Sequence, residues 1–114
     1  MILDEKQLKE VIACILREAS PDRIILFGSS ATGDFGKDSD LDLLILERNP
    51  TDRRQESIRI RRALKHIRLP IDIIVMKTER FEETKEIIGG LACPANKYGR
   101  VLYEIRIDDI LKRP

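Results

Sequence analysis

Apolar residues near the start of the chain recur with the period of an α-helix. They occupy positions i, i+3, i+4, i+7, i+8 and i+11, and so form one face of a helix predicted over residues 4–19: Leu8, Val11, Ile12, Ile15, Leu16 and Ala19. Acidic Asp4 and Glu5 fall in the first turn, where negative charge is favourable. Pro21 cannot continue the helical hydrogen bonds, so the helix is predicted to end before it.

Three short aliphatic runs predict β-strands at residues 23–27, 41–46 and 71–76. Both faces of these runs are apolar, which is typical of a sheet covered by helices on both sides. A further apolar run at 101–103 follows Gly99 and predicts an edge strand. The strands therefore predict a sheet that is buried between two layers.

Helical segments lie between and after the later strands. Helices are predicted over 51–68, 79–88 and 91–98, and a terminal turn over 108–111. Asn49 and Thr78 are the predicted N-caps of the first two helices, with Pro50 at the first helical position after Asn49. The order of elements is that of one α/β domain over residues 1–114.

Composition excludes several classes of protein. With 114 residues and a net charge of +1, the chain has no overall field that would attract it to nucleic acid or to a membrane. No apolar run approaches the ~20 residues of a membrane span, and the N-terminus does not read as a signal peptide. Cys14 and Cys93 lack metal-ligand spacing, so we expect reduced thiols and a cytoplasmic protein.

A polar stretch at residues 28–42 follows the first strand and has the character of an anion site. Gly28 would let the backbone approach a phosphate closely, and the Ser29 hydroxyl would add a donor. A P-loop is excluded, because Asp34 and Phe35 stand where that motif needs Lys and Ser/Thr. An ordinary turn after a strand is the alternative interpretation.

Three aspartates carry the candidate metal chemistry. Asp40 and Asp42, two residues apart at the start of a strand, point to one face, and paired carboxylates suit Mg²⁺. Asp72 lies in a stretch that otherwise predicts a buried strand, where a charge is costly unless it is paired or bound to metal. If the two strands are neighbours, the three carboxylates form a two-metal site for attack on phosphorus. The alternatives are a solvated strand start for Asp40 and Asp42, and an ion pair between Asp72 and an arginine on a packing helix.

Taken together, these residues resemble a known family. Gly28-Ser29, ten intervening residues, the Asp40-x-Asp42 pair and Asp72 on a later strand are similar to the minimal nucleotidyltransferases (MNT) of the DNA polymerase β-like superfamily. The resemblance covers nearly the whole chain. It implies a small α/β nucleotidyltransferase domain with a short mixed sheet packed with helices.

The resemblance also implies roles for the same residues. Gly28 and Ser29 would grip the triphosphate of an NTP, with ATP the expected substrate. Asp40 and Asp42 would hold Mg²⁺ on those phosphates. Asp72 would complete a second metal site and help deprotonate an acceptor hydroxyl, which attacks the α-phosphorus and releases pyrophosphate. Ser30 and Thr32 stand where many relatives carry an arginine, so whether catalysis is retained stays open.

The acceptor is expected on another molecule, because 114 residues leave no room for an acceptor-binding domain. Among short chains of this kind, the resemblance implies the antitoxin of a HEPN–MNT toxin–antitoxin pair. Such an antitoxin binds a helical HEPN ribonuclease and adenylylates a tyrosine on it. Assembly with a second copy or with a different chain is left open.

The segment 51–68 is strongly basic, with seven basic side chains against two acidic ones and a local charge of +5. It is either a solvated face or a docking surface for an acidic partner or a phosphate backbone. The second possibility supports two alternatives to the enzyme: an antitoxin that acts by occlusion alone, and an enzyme that modifies nucleic-acid ends. His66, within this segment, is not predicted to be catalytic.

Overall fold

A computed structural model describes residues 5–28, 41–49 and 52–105, apart from the side chain of Pro94. This part of the chain contains four helices and four strands, in the order α1 (Glu5–Glu18), β1 (Arg23–Phe27), β2 (Leu41–Glu47), α2 (Arg53–Ala63), β3 (Ile71–Lys77), α3 (Thr78–Thr84), α4 (Ala92–Tyr98) and β4 (Arg100–Glu104). Within these residues, no helix has both the length and the apolar character that a membrane crossing needs.

The four strands form one mixed sheet in the order β3-β2-β1-β4. β1 is antiparallel to both β2 and β4, whereas β2 and β3 are parallel and are joined through α2. The predicted mixed sheet and the predicted edge position of the last strand are therefore confirmed. β3 forms the opposite edge, which the sequence did not indicate.

Helices cover both faces of the sheet, as the doubly apolar strands predicted. On one face, α1 and α2 pack through Leu8, Ile15 and Ile60 against alternate residues of β2 such as Leu43 and Ile45. On the other face, α3 and α4 pack against β1 and β2 in a smaller cluster: Ile25, Leu44, Leu46, Phe81, Ala92 and Ala95. Alternation along β2 therefore directs Asp42, like Leu44, towards the face of the smaller cluster.

The prediction that Asn49 and Pro50 begin the second helix is wrong. α2 begins at Arg53, and its N-cap is Asp52, whose carboxylate accepts hydrogen bonds of 3.1 Å from the backbone N–H groups of Arg54 and Gln55. An aspartate is as good a cap as an asparagine, and here it lies three residues further along. The helix ends at Ala63, and turns follow where the prediction continued to residue 68.

Thr78 is the first residue of α3 and is not its cap, because its hydroxyl donates to Asp22 Oδ2 at 2.7 Å instead. This helix ends at Thr84, four residues earlier than predicted. The apolar residues that the prediction placed in its last turn, Ile87 and Ile88, do not pack against the core, since they are 58% and 93% exposed. The predicted terminal turn at 108–111 lies outside the described residues, while the bounds of the remaining elements agree with prediction to within one residue.

Candidate functional site

Gly28, Asp42 and Asp72 meet at one end of three adjacent strands. β1 ends beside the start of β2 because the two strands are antiparallel, and Phe27 pairs with Asp42. β3 begins at the same end because it runs parallel to β2, and Asp42 pairs in register with Asp72. Neighbours in register on parallel strands point to the same face. Two of the three predicted carboxylates therefore lie side by side.

The other two predicted site residues, Ser29 and Asp40, lie outside the described residues. The proposed roles of Ser29 and Asp40 therefore stay predictions.

Gly28 occupies a position that accepts only glycine without strain. Its φ of +75° lies in the left-handed region, which residues with a Cβ rarely adopt. A Cβ atom at this position would lie 2.5 Å from Asp42 Oδ2, closer than real contacts allow. The backbone that leaves β1 therefore passes directly against the Asp42 carboxylate, and an alanine would displace one or the other.

Asp72 is more exposed than the sequence indicated. Because β3 is an edge strand, the side chain of Asp72 is 51% exposed, and the expected cost of burying its charge does not arise. Its Oδ1 lies 3.4 Å from Arg61 Nη2 on α2. The same Arg61 nitrogen donates to the backbone oxygen of Ile73 at 3.3 Å. The alternative interpretation, an ion pair with an arginine on a packing helix, therefore describes a contact that Asp72 does make.

The carboxylate oxygens at this end of the strands fit a divalent cation that prefers oxygen ligands. Mg²⁺ is commonly held by one or two carboxylates together with substrate phosphates, and Asp42 and Asp72 supply two carboxylates from adjacent strands. Within residues 5–28, 41–49 and 52–105, no three His, Cys, Asp or Glu side chains are grouped to hold a metal ion. The third predicted carboxylate, Asp40, lies outside these residues.

The basic side chains of the segment 51–68 are exposed. All seven of its basic side chains lie at the surface: Arg53, Arg54, Arg59, Arg61, Arg62, Lys65 and Arg68. Two of them contact carboxylates, Arg59 on Glu56 at 3.9 Å and Arg61 on Asp72. His66 lies 3.2 Å from Glu10 on α1, and so contacts neither Asp42 nor Asp72.

A second pair of carboxyl groups lies at the other end of β2, and the sequence analysis missed it. Glu47 and Glu56 are 5% and 7% exposed. Burial, followed by a hydrogen bond with Glu56, raises the pKa of Glu47 to about 8. The sequence does carry a sign of this pair, since Glu47 ends an aliphatic run and Glu56 precedes Ile60 by one helical turn on the apolar face.

Comparison with known proteins identifies the family. The model of the nucleotidyltransferase domain family matches residues 8–92, a range that includes all the candidate site residues. A protein of Methanocaldococcus jannaschii that carries the name "Putative protein adenylyltransferase" is 44% identical over 77 residues, which cover 64% of this chain and 77% of the relative.

Solved structures share the fold at lower identity. A chain of a toxin–antitoxin complex with AMP-PNP superposes with a TM-score of 0.61 at 20% identity, covering 91% of this chain and 78% of the other. A structure of a tri-AMPylated Shewanella oneidensis HEPN toxin in complex with MNT antitoxin gives 0.56 at 18%, covering 96% and 79%. The family match spans most of the chain and encloses the carboxylate pair, and we conclude that this protein belongs to the nucleotidyltransferase domain family.

Proposed function

We propose that this protein is a Mg²⁺-dependent nucleotidyltransferase that moves AMP from ATP to a hydroxyl group of a partner protein. The observation that carries the proposal is the register of β2 and β3, which brings Asp42 and Asp72 together beside the turn at Gly28. Carboxylates beside a glycine at the end of a strand suit a metal–triphosphate substrate.

The roles proposed for the site residues are those that the family resemblance implies. Gly28 and Ser29 would contact the triphosphate, while Asp40, Asp42 and Asp72 would hold Mg²⁺, which neutralises developing charge when bound. Asp72 lies on an edge strand with its side chain 51% exposed, which supports a role in meeting an incoming acceptor. The acceptor oxygen bonds to the α-phosphorus, the bond to pyrophosphate breaks, and the hydroxyl proton passes towards Asp72.

The substrate and the partner are proposed from the relatives. AMP-PNP in one structural neighbour supports ATP as the nucleotide. The name of the Methanocaldococcus relative supports a protein acceptor. The AMPylated HEPN toxin in complex with an MNT antitoxin in another neighbour supports a HEPN protein as the partner and this chain as its antitoxin. A helical partner and a tyrosine acceptor are what the family resemblance implies.

The test is transfer of label from α-³²P-ATP to a co-expressed HEPN-type partner. We expect Asp42→Asn to reduce labelling by at least a hundredfold without unfolding the protein, because it removes a metal ligand from a cluster of like charges. Asp52→Asn is the matched control, since asparagine caps α2 as well as aspartate does. Wild-type labelling by Asp42→Asn would refute the assignment.

A second candidate function is an antitoxin that neutralises its partner by binding alone. The exposed basic segment on and after α2 favours it, because such a face suits docking to an acidic surface. Growth rescue separates the two functions: under occlusion, Asp42→Asn protects cells as well as the wild type, whereas under transfer it does not. Binding to oligonucleotides that weakens steeply with salt would instead support a nucleic-acid substrate.

A further inference from the structure

Arg61 is the described side chain that contacts the Asp72 carboxylate. Its Nη2 nitrogen contacts both Asp72 Oδ1, at 3.4 Å, and the backbone oxygen of the next residue, Ile73, at 3.3 Å. One nitrogen therefore bridges the carboxylate and the backbone of its own strand. Among the described residues, Asp72 Oδ2 has no such partner.

Arg61 lies on a part of α2 that is anchored in the core. Arg61 follows Ile60, which is fully buried, and precedes Leu64, which is 4% exposed, so the helix is anchored in the larger core on both sides of the arginine. From that face of the sheet the side chain reaches the open edge of β3. The anchored helix can therefore restrict a carboxylate on an edge strand that would otherwise rotate freely in solvent.

The contact is poorly explained as a device for stability. Both side chains are about half exposed, at 56% for Arg61 and 51% for Asp72, and exposed ion pairs contribute little to folding. Its consequence is better sought in the orientation of Asp72 and in the repulsion between Asp72 and its neighbour in register, Asp42.

We propose that Arg61 is a positioning residue that holds Asp72 through Oδ1 and leaves Oδ2 directed to the shared site with Asp42. This inference rests on the proposed function, because it assigns Asp72 to the metal site. Arg61 is not assigned a contact with the substrate. Groups that orient metal ligands typically change affinity or activity by roughly tenfold or more when they are removed.

The test is Arg61→Met, compared with Arg62→Met as a matched control on the same helix. Arg62 is equally exposed and makes no contact with either aspartate in the described part of the chain. Mn²⁺ binding is measured by electron paramagnetic resonance with the metal alone, without nucleotide. We expect Arg61→Met to weaken Mn²⁺ binding by roughly tenfold and Arg62→Met to leave it unchanged.

The direction of the change is diagnostic. Loss of a nearby positive charge would by itself strengthen binding of the bare cation, so weaker Mn²⁺ binding in Arg61→Met points to a lost orientation of Asp72. Unchanged or tighter binding in Arg61→Met would overturn the proposal. Equal melting temperatures of the two variants would show that both are folded.

Kinetics then separate this inference from the proposed function. We expect Arg61→Met to lower kcat by roughly tenfold with little change in the KM for ATP, and to add no further loss to Asp72→Asn. Partial rescue by Arg61→Lys, which restores a donor, is also expected. If Asp72→Asn transfers AMP normally, the assigned role of Asp72 fails. If Asp72→Asn is inactive but Arg61→Met is normal, only the role of Arg61 fails.

Discussion

At the scale of single residues, the candidate site depends on Gly28, which has no side chain, as much as on the charged aspartates. Gly28 combines a left-handed φ with a position where a Cβ would meet the Asp42 carboxylate. Gly89 also has a positive φ, of +109°, but nothing lies within 4 Å of the place its Cβ would take. The two glycines therefore separate the cost of the backbone conformation from the cost of the contact with Asp42.

We expect Gly28→Ala to destabilise the protein about as much as Gly89→Ala, but, unlike Gly89→Ala, to shift the Asp42 carboxylate. The conformation alone costs about 1–2 kcal/mol for a residue with a Cβ, and this is the full cost expected at Gly89. Gly28→Ala adds displacement of Asp42, so we also expect it to weaken Mn²⁺–nucleotide binding. Urea unfolding and Mn²⁺ titration of both variants measure the two effects. Intact binding in both variants would contradict the contact at Gly28.

At the scale of elements, β2 carries different chemistry at its two ends. Asp42, at the start, is partly exposed beside the candidate site, whereas Glu47, at the end, is buried against Glu56 of α2. Burial and Glu56 raise the pKa of Glu47, Asp22 acts in the same direction, and Arg59 opposes them. The pair therefore links β2 to α2 best when Glu47 is protonated.

The stability of the protein should consequently depend on pH through Glu47. Its pKa rises from 4.5 to about 8 on folding, so between these values the folded state holds a proton that the unfolded state has lost. The free energy of unfolding should fall across this window as pH rises, by at most about 1.4 kcal/mol per pH unit from this group. Its stabilising contribution is complete below pH 4.5 and is lost by about pH 8.

Glu47→Gln should flatten this slope, because glutamine stays neutral and retains hydrogen-bonding capacity. Glu83→Gln, on the exposed surface of α3, is the control and should leave the slope unchanged. Glu82 acts outside the window, since a hydrogen bond from Lys85 lowers its pKa below 4.5. Urea unfolding from pH 5 to 8 measures the effect, and a slope that persists in Glu47→Gln would rule out Glu47 as its source.

At the scale of the whole molecule, the sheet is held between two unequal layers. The layer of α1 and α2 is larger. It includes Arg61 on α2, whose side chain contacts the edge strand β3. The layer of α3 and α4 is smaller and centres on Phe81, which is fully buried. Covering both faces leaves only the edges and ends of the sheet open, and the candidate site lies at one such end.

Phe81→Ala should therefore destabilise the molecule by about 3–5 kcal/mol, the usual cost of truncating a buried phenylalanine. Ile88→Ala should change stability by less than about 0.5 kcal/mol, because exposed positions tolerate substitution. Thermal and urea unfolding of both variants test this. Similar losses in the two variants would contradict the exposed position of Ile88.

The hydrophobic pattern alone predicted the strands, α1 and α4 to within a residue, because period and burial are local properties of a short segment. It also singled out Gly28, Asp42 and Asp72, since a charge or a glycine interrupts an apolar run visibly. It could not determine which strand becomes an edge, so it placed Asp72 in a buried position. It also extended the third helix to Ile88, where burial ends at Phe81 and its neighbours.

Pairing between strands was decided only by tertiary structure. Asp42 and Asp72 are thirty residues apart and become neighbours through the register of β2 and β3, which depends on how all the side chains of both faces pack together. The contact of Arg61 with Asp72 and the burial of Glu47 against Glu56 arise in the same way, from where α2 crosses the sheet. The sequence by itself determined which residues could do chemistry, and packing over long separations decided which of them meet.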